Sequence, residues 1–259
     1  MLTFSSFYLL TSLKVAVLFY RYKDTGKRGV RKEAVGTDYR HEWKHEISYA
    51  DLLAIRARTR AIMQPDPHAK DGRYLIRSLY FDNLHDKALR EKVDGVNMRE
   101  KFRIRYYNDD PSLIHLEKKS KLNGLGTKFS ANLTAQQAQK IIEGDLDWMP
   151  NAEAPLVREL YCKMRSQGLR PKTIVDYTRE PFIYGPGNVR VTFDYNIRTG
   201  LADTNFLNPD CVTIPAGDAP IILEVKWDAF LPSLIRDAVQ TPGCRVGAFS
   251  KYAQCRIYG

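Results

Sequence analysis

Charged and apolar residues alternate along almost every strand-length segment of this chain, and that alternation limits what a sheet built from it can bury. In a strand, residues i and i+2 point to one face and residue i+1 to the other. In Lys101-Phe-Arg-Ile-Arg-Tyr106, Arg103 and Arg105 share a face opposite Phe102, Ile104 and Tyr106. Glu117 and Lys119 lie together opposite Leu116, and Arg190, Thr192 and Asp194 oppose Val189, Val191 and Phe193. Glu224 and Lys226 oppose Leu223 and Val225, and Arg40, Glu42 and Lys44 fall on one face near the start. One such strand alone reads as amphipathic, with a solvated charged face. The set reads differently, because a merely solvated face tolerates Ser, Thr, Asn and Gln, whereas these faces repeat Arg or Lys beside Glu or Asp.

The apolar faces need a cover, and the intervening segments supply one. Strands are expected at 39–48, 73–82, 97–107, 112–120, 126–133, 172–180, 188–198 and 219–227. Helices are expected at 49–63, 135–143, 155–167 and 231–240, with a last turn after Ser250. Thr134 and Gln137 form a capping-box pattern ahead of Gly144. The stretch 200–218, rich in Asn, Asp, Pro and Gly, reads as a loop. The expected fold is α+β: a closed antiparallel eight-stranded β-barrel with its charged face inward and helices packed outside. A lumen lined by guanidinium, ammonium and carboxylate groups is costly unless water, counterions or a ligand fill it. An excess of cations suits a polyanion, and the carboxylates suit a bridging metal.

Composition agrees with that polyanion. Across 259 residues, 40 Lys and Arg face 30 Asp and Glu, a formal net charge of +10. Cys162, Cys211, Cys244 and Cys255 lack CxxC spacing and read as reduced thiols of a cytosolic protein. Residues 39–259 read as one domain without internal repeats. Residues 1–38 read as an extension outside it. Their broken apolar stretch is interrupted by Lys14 and followed by Arg21, Lys23, Lys27, Arg28, Arg31 and Lys32. Two readings stay open for 1–32, a flexible tail or a weak membrane-surface anchor.

Eight segments, in order, carry a resemblance to the triphosphate tunnel metalloenzymes, the CYTH-like superfamily, and within it to the VTC-domain polyphosphate polymerases. They are Arg40-His-Glu-Trp-Lys44, Arg77-Ser-Leu-Tyr-Phe-Asp82, Arg103-Ile-Arg-Tyr-Tyr107, Leu116-Glu-Lys-Lys119, Tyr177-Thr-Arg-Glu-Pro-Phe182, Val189-Arg-Val-Thr-Phe-Asp194, Leu223-Glu-Val-Lys226 and Phe249-Ser-Lys-Tyr252. Arg40 stands where the wider superfamily has the first Glu of Glu-x-Glu-x-Lys, which leans toward the VTC branch. Ala248 stands where the family tends to carry a basic residue, with Arg245 the nearby substitute.

The resemblance implies that Lys44, Arg103, Arg105, Lys119, Arg179, Arg190 and Lys251 contact phosphates of ATP or of a growing chain. Lys128 and Lys226 would line the wall. Glu224 would hold Mn²⁺ or Mg²⁺, with Glu42, Glu117 and Asp194 as helpers. The implied reaction moves the ATP γ-phosphate onto inorganic polyphosphate. A separate membrane protein stays open as a further partner. A triphosphate hydrolase and a non-catalytic polyphosphate-binding module are the nearest alternatives. For each of these residues the plain alternative is a structural salt bridge.

Two other signals fall away. His41-Glu-Trp-Lys-His45 matches HExxH, but that motif needs a helix. On a strand its histidines stand about 13 Å apart, too far to share a zinc ion. Nucleic-acid binding fits the charge, yet a groove tracking a phosphate backbone would not repeat carboxylates among its cations.

Overall fold

The period-two segments become strands and the capped 3.6-period segments become helices. The computed structural model describes residues 40–122, 125–218, 220–240 and 247–257. The elements run β1 (His41–Ile47), α1 (Tyr49–Ile62), β2 (Gln64–Pro65), β3 (Tyr74–Asp82), α2 (Lys87–Val93), β4 (Met98–Tyr107), β5 (Asp110–Leu122) and β6 (Leu125–Leu133). They continue through α3 (Ala135–Glu143), α4 (Pro155–Gln167), β7 (Arg170–Tyr184), β8 (Val189–Thr199), β9 (Ile214–Pro215), β10 (Ile221–Trp227), α5 (Ser233–Ala238) and α6 (Lys251–Arg256). The expected extension 1–38, and both readings of 1–32, lie outside the described residues, as do Cys244 and Arg245. Among the described residues no helix is long and apolar enough to cross a membrane.

Helix starts follow local chemistry. Ser48 caps α1 and Thr134 caps α3, each in a reciprocal capping box with Asp51 and Gln137 respectively. Gly144 ends α3 in the left-handed region, where a Cβ would be strained. Three of these elements lie outside the expected set, the two-residue strands β2 and β9 and the helix α2, which buries no residue and is capped from Asp82 and Asn83 rather than by its N-cap Asp86, so neither periodicity nor a capping pattern announces it.

One antiparallel sheet carries the fold, in the order β1-β10-β8-β7-β3-β4-β5-β6, with β2 paired to β7 and β9 to β8. Here the expectation of a closed barrel is corrected: among the described residues no ladder joins β1 to β6, and the sheet is a curled half-barrel. The free edge of β1 is met by coil instead. Gly247 N donates to Lys44 O at 2.8 Å, so a backbone acceptor that closure would pair is already satisfied.

The apolar faces turn outward, under the helices. Phe102, Ile104, Leu116 and Leu79 pack with Ala138 and Ile141 of α3 and with Leu156, Val157 and Leu160 of α4. Val191, Phe193, Leu223 and Val225 pack with Leu52 and Ile55 of α1 and Ile235 of α5. The loop at 200–218 contributes as well, since Phe206 is fully buried in the first of these clusters. A third cluster fills one end of the concave side, where Tyr252 and Cys255 of α6 meet Ile76, Val175, Tyr177 and Ile222.

Candidate phosphate-binding site

Register fixes which side chains share the concave face. Lys44 lies opposite Glu224, and Glu224 opposite Thr192. Arg179 lies opposite Asp194, Tyr80 opposite Arg103, and Arg103 opposite Glu117. Directly opposed residues point the same way, so these ladders run one charged stripe across the sheet.

Curling brings the ends of the stripe together. Lys119 on β5 lies five strands from β10 in the sheet order, roughly 24 Å away if the sheet were flat. Its ammonium is nevertheless pushed well below the usual lysine range by burial, then by Arg103 and by Lys226 of β10, while Glu224 opposes the shift. Lys101 behaves likewise: burial lowers it to about 8, with Arg103, Lys44 of β1 and Lys251 adding to the effect and Tyr80 opposing it. Mutual influence between groups so many strands apart places them across a groove rather than along a plane.

The carboxylates within the groove are buried and clasped by cations. Glu224 meets Lys226 at 2.8 Å, Arg179 at 3.2 Å and Lys44 at 3.7 Å. Burial alone would raise its pKa, but Lys226, Glu42, Lys44 and Arg179 hold it well below the usual range. Lys44 and Lys226 also reach Glu42, at 2.8 and 3.3 Å. Asp194 accepts both donors of Arg179, at 2.6 and 2.7 Å, and the Lys251 ammonium at 2.6 Å. Glu117 accepts from Arg103 Nε at 2.7 Å and pairs with the half-exposed Lys128.

Of the residues expected to act, Lys44, Arg103, Arg105, Lys119, Arg179, Lys226 and Lys251 converge on this groove. Arg105 donates to Ser78 and to Tyr177 Oη, and the Lys251 ammonium sits 4.7 Å from the Tyr177 ring centroid. Arg190 stands apart at the rim, half-exposed and paired with Asp66 at 3.0 Å. Glu117 and Asp194 each pair with an arginine and a lysine, whereas Glu42 and Glu224 share Lys44 and Lys226 between them. Among the described residues no three His, Cys, Asp or Glu side chains cluster around a common point. His41 stacks on Trp227, as a strand position facing the outer layer would.

Three groups escape the sequence reading. Lys101 shares the period-two face of Arg103 and Arg105, a signal that was available. Tyr80 and Tyr177 lie within two of the quoted segments without a role, yet both hydroxyls meet guanidinium groups. Burial would raise the Tyr80 phenol, but Arg103, Lys101 and Arg105 pull it down to about 7.

The family model that matches this sequence is the VTC domain, over residues 39–257. No curated protein matches it. Among solved structures it is similar to a candidate adenylate cyclase from Bacillus halodurans, with 13% identity, a TM-score of 0.42, and coverage of 71% of this chain and 78% of that one. It is also similar to the PH1819 protein from Pyrococcus horikoshii OT3, with 14% identity, a TM-score of 0.39, and coverage of 78% and 84% respectively.

Proposed function

The chain belongs to the VTC domain family, and from that premise we propose that it is a polyphosphate polymerase, moving the γ-phosphoryl group of ATP onto an inorganic polyphosphate chain and releasing ADP. The observation that carries this reading is the state of Lys101 and Lys119. Both face the groove, both are depressed by burial and by neighbouring cations, and among the described residues neither has an ion-pair partner. Cations gathered this way are costly without an anion. A phosphate chain supplies negative charge at each unit and restores both ammonium groups to their ordinary range.

Phosphoryl transfer needs mainly positioning and neutralised charge. Lys44, Arg179 and Lys251 would grip the triphosphate at the β1–β7 side of the groove, and Arg103, Arg105 and Lys119 the acceptor chain at the β4–β5 side. Arg190 would serve at the rim, with Lys128 and Lys226 on the wall. Asp194 and Glu117 orient their arginines, acting as positioning residues.

Oxygen donors of the Glu42–Glu224 pair suit Mg²⁺ or Mn²⁺, which are held by one or two carboxylates together with substrate phosphates. When bound, such an ion would neutralise charge on the phosphate oxygens. Glu224 and Glu42 are the residues to hold it.

The test is product analysis. Purified protein incubated with ATP and Mn²⁺ is expected to give a ladder of polyphosphate on a polyacrylamide gel. Orthophosphate alone would make the protein a hydrolase, and no turnover with retained chain binding would make it a binding module.

A further inference from the structure

We propose that the cavity between α2, the start of β4, the end of β5 and α6 is a second phosphate-binding site, one that takes the part of a polyphosphate chain extending beyond the groove. The inference rests on the proposed polyphosphate chemistry and adds a place for the rest of the chain. The cavity measures about 550 Å³ and is lined by Lys92, Arg99 and Lys121 together with Val93, Phe249 and Ile257. That volume lies within the roughly 300–1,000 Å³ of small-molecule sites. Among the described residues no carboxylate lines it.

Two of the three cations here are held by carbonyl groups. Lys92 Nζ donates to Ala248 O at 2.6 Å and Arg99 Nη1 to Val96 O at 2.6 Å. Carbonyl partners position a cation without neutralising it, so the charge is left for an anion. Groove and cavity are also neighbours along the sheet, since Arg99 and Lys121 face each other one pair beyond Lys101 and Lys119 on the same period-two face. Gly247 donates to the carbonyl of Lys44, a groove residue, and the next residue, Ala248, accepts from Lys92. The Lys92 ammonium is lowered by burial and then by Arg99, Lys44 and Lys121, so one basic potential spans both sites. A linear polyanion leaving the groove at the start of β4 and the end of β5 meets these cations next. Val93 and Ile257, 71% and 67% exposed, leave the cavity open to solvent on that side.

The experiment compares tripolyphosphate with a long polyphosphate chain, each titrated onto wild-type protein and the K92Q/R99Q/K121Q variant at several salt concentrations. Wild type is expected to bind the long chain more tightly than tripolyphosphate, and the variant is expected to lose most of that advantage with its tripolyphosphate affinity unchanged. The slope of log K against log salt for the long chain should shrink by roughly 0.7 per contact removed, the value for single-stranded polyanions. The R99Q/K121Q variant keeps the Lys92–Ala248 bond and guards against misfolding, and it is expected to show an intermediate loss. Unchanged long-chain affinity in a folded variant overturns the site and leaves the groove reading standing. Equal loss for both ligands also overturns it. A wild type that binds neither phosphate ligand overturns both proposals together.

Discussion

Lys101 and Tyr80 give the groove a pH signature of definite sign. Burial with Arg103, Lys44 and Lys251 sets Lys101 at about 8, and Arg103, Lys101 and Arg105 bring Tyr80 to about 7 against its burial. The unfolded values are about 10.4 and 10. Between pH 7 and 8.5 the unfolded chain therefore holds more protons than the folded one, and stability rises with pH, by up to about 1.4 kcal/mol per pH unit for each proton. From the top of that window upward Cys211 and Cys255, pushed up to about 11 and 12 by burial, act in the opposite direction, because an unfolded thiol loses its proton at about 8.5. Urea midpoints should increase from pH 7 to 8.5 in wild type and increase less steeply in Tyr80→Phe, which keeps Lys101; a flat or falling wild-type profile would refute the assignment. Glu224 makes the complementary case. Glu224→Gln leaves Lys44, Lys226 and Arg179 short of a counter-charge, a loss of about 3–5 kcal/mol for a buried pair broken on one side. Melting with and without tripolyphosphate should show the variant recovering much of that loss when the ligand restores negative charge. Mn²⁺ affinity should fall at least about tenfold, and calorimetry finding it unchanged would remove Glu224 as a ligand. At this scale Arg103, Arg105, Glu224 and Lys226 were legible because period two exposes a charged face. Asp66 was not, since it sits beyond the short β2 and reaches Arg190 from outside any periodic pattern.

At the scale of elements, each strand divides its labour between two faces, and single substitutions should separate them. Leu223 is fully buried beneath the outer layer, while Lys226, on the other face of β10, pairs with Glu224 and Glu42. Leu223→Ala should cost about 2–5 kcal/mol of stability with tripolyphosphate affinity unchanged. Lys226→Gln should weaken tripolyphosphate binding with a much smaller effect on the denaturation midpoint. If the two variants shift both quantities in parallel, the faces are not independent. Alternation, which reports the faces, located the eight long strands to within a few residues and also named the outer core. Pairing at the edges left no such trace. Whether β6 returns to β1 depends on where the coil at 247–250 lies, and the hydrogen bond from Gly247 to Lys44 has no signature in composition or period. The helix α2 escaped for a related reason, being half-buried through Ala88 and Leu89 alone among its apolar residues and stabilised by context rather than by its own apolar stripe.

For the whole molecule, the net charge of +10 would attract any polyanion, so selectivity has to come from shape. The sheet folds its cations inward until Lys119 of β5 and Lys226 of β10 feel one another, and the groove between them is lined by buried carboxylates as well as by Arg103, Arg105 and Arg179. A single phosphate chain can thread such a groove and exchange protein carboxylates for its own oxygens. A duplex, far wider, can meet only the rim and the outer surface, where charges are solvated and screened over about 8 Å at physiological salt. Salt therefore discriminates between the two modes: surface binding of a duplex should decay steeply as salt rises, while binding in the groove should persist. In a competition of labelled polyphosphate against unlabelled duplex DNA at two salt concentrations, duplex should fail to displace polyphosphate at the higher one. Arg103→Gln with Arg105→Gln should reduce polyphosphate affinity at least about tenfold, because each lost guanidinium removes a charge-assisted contact in a desolvated site. Residual duplex binding should barely change. Efficient displacement by duplex at high salt, or a double variant that loses DNA binding first, would mean that the charged face serves nucleic acid and that the groove reading is wrong.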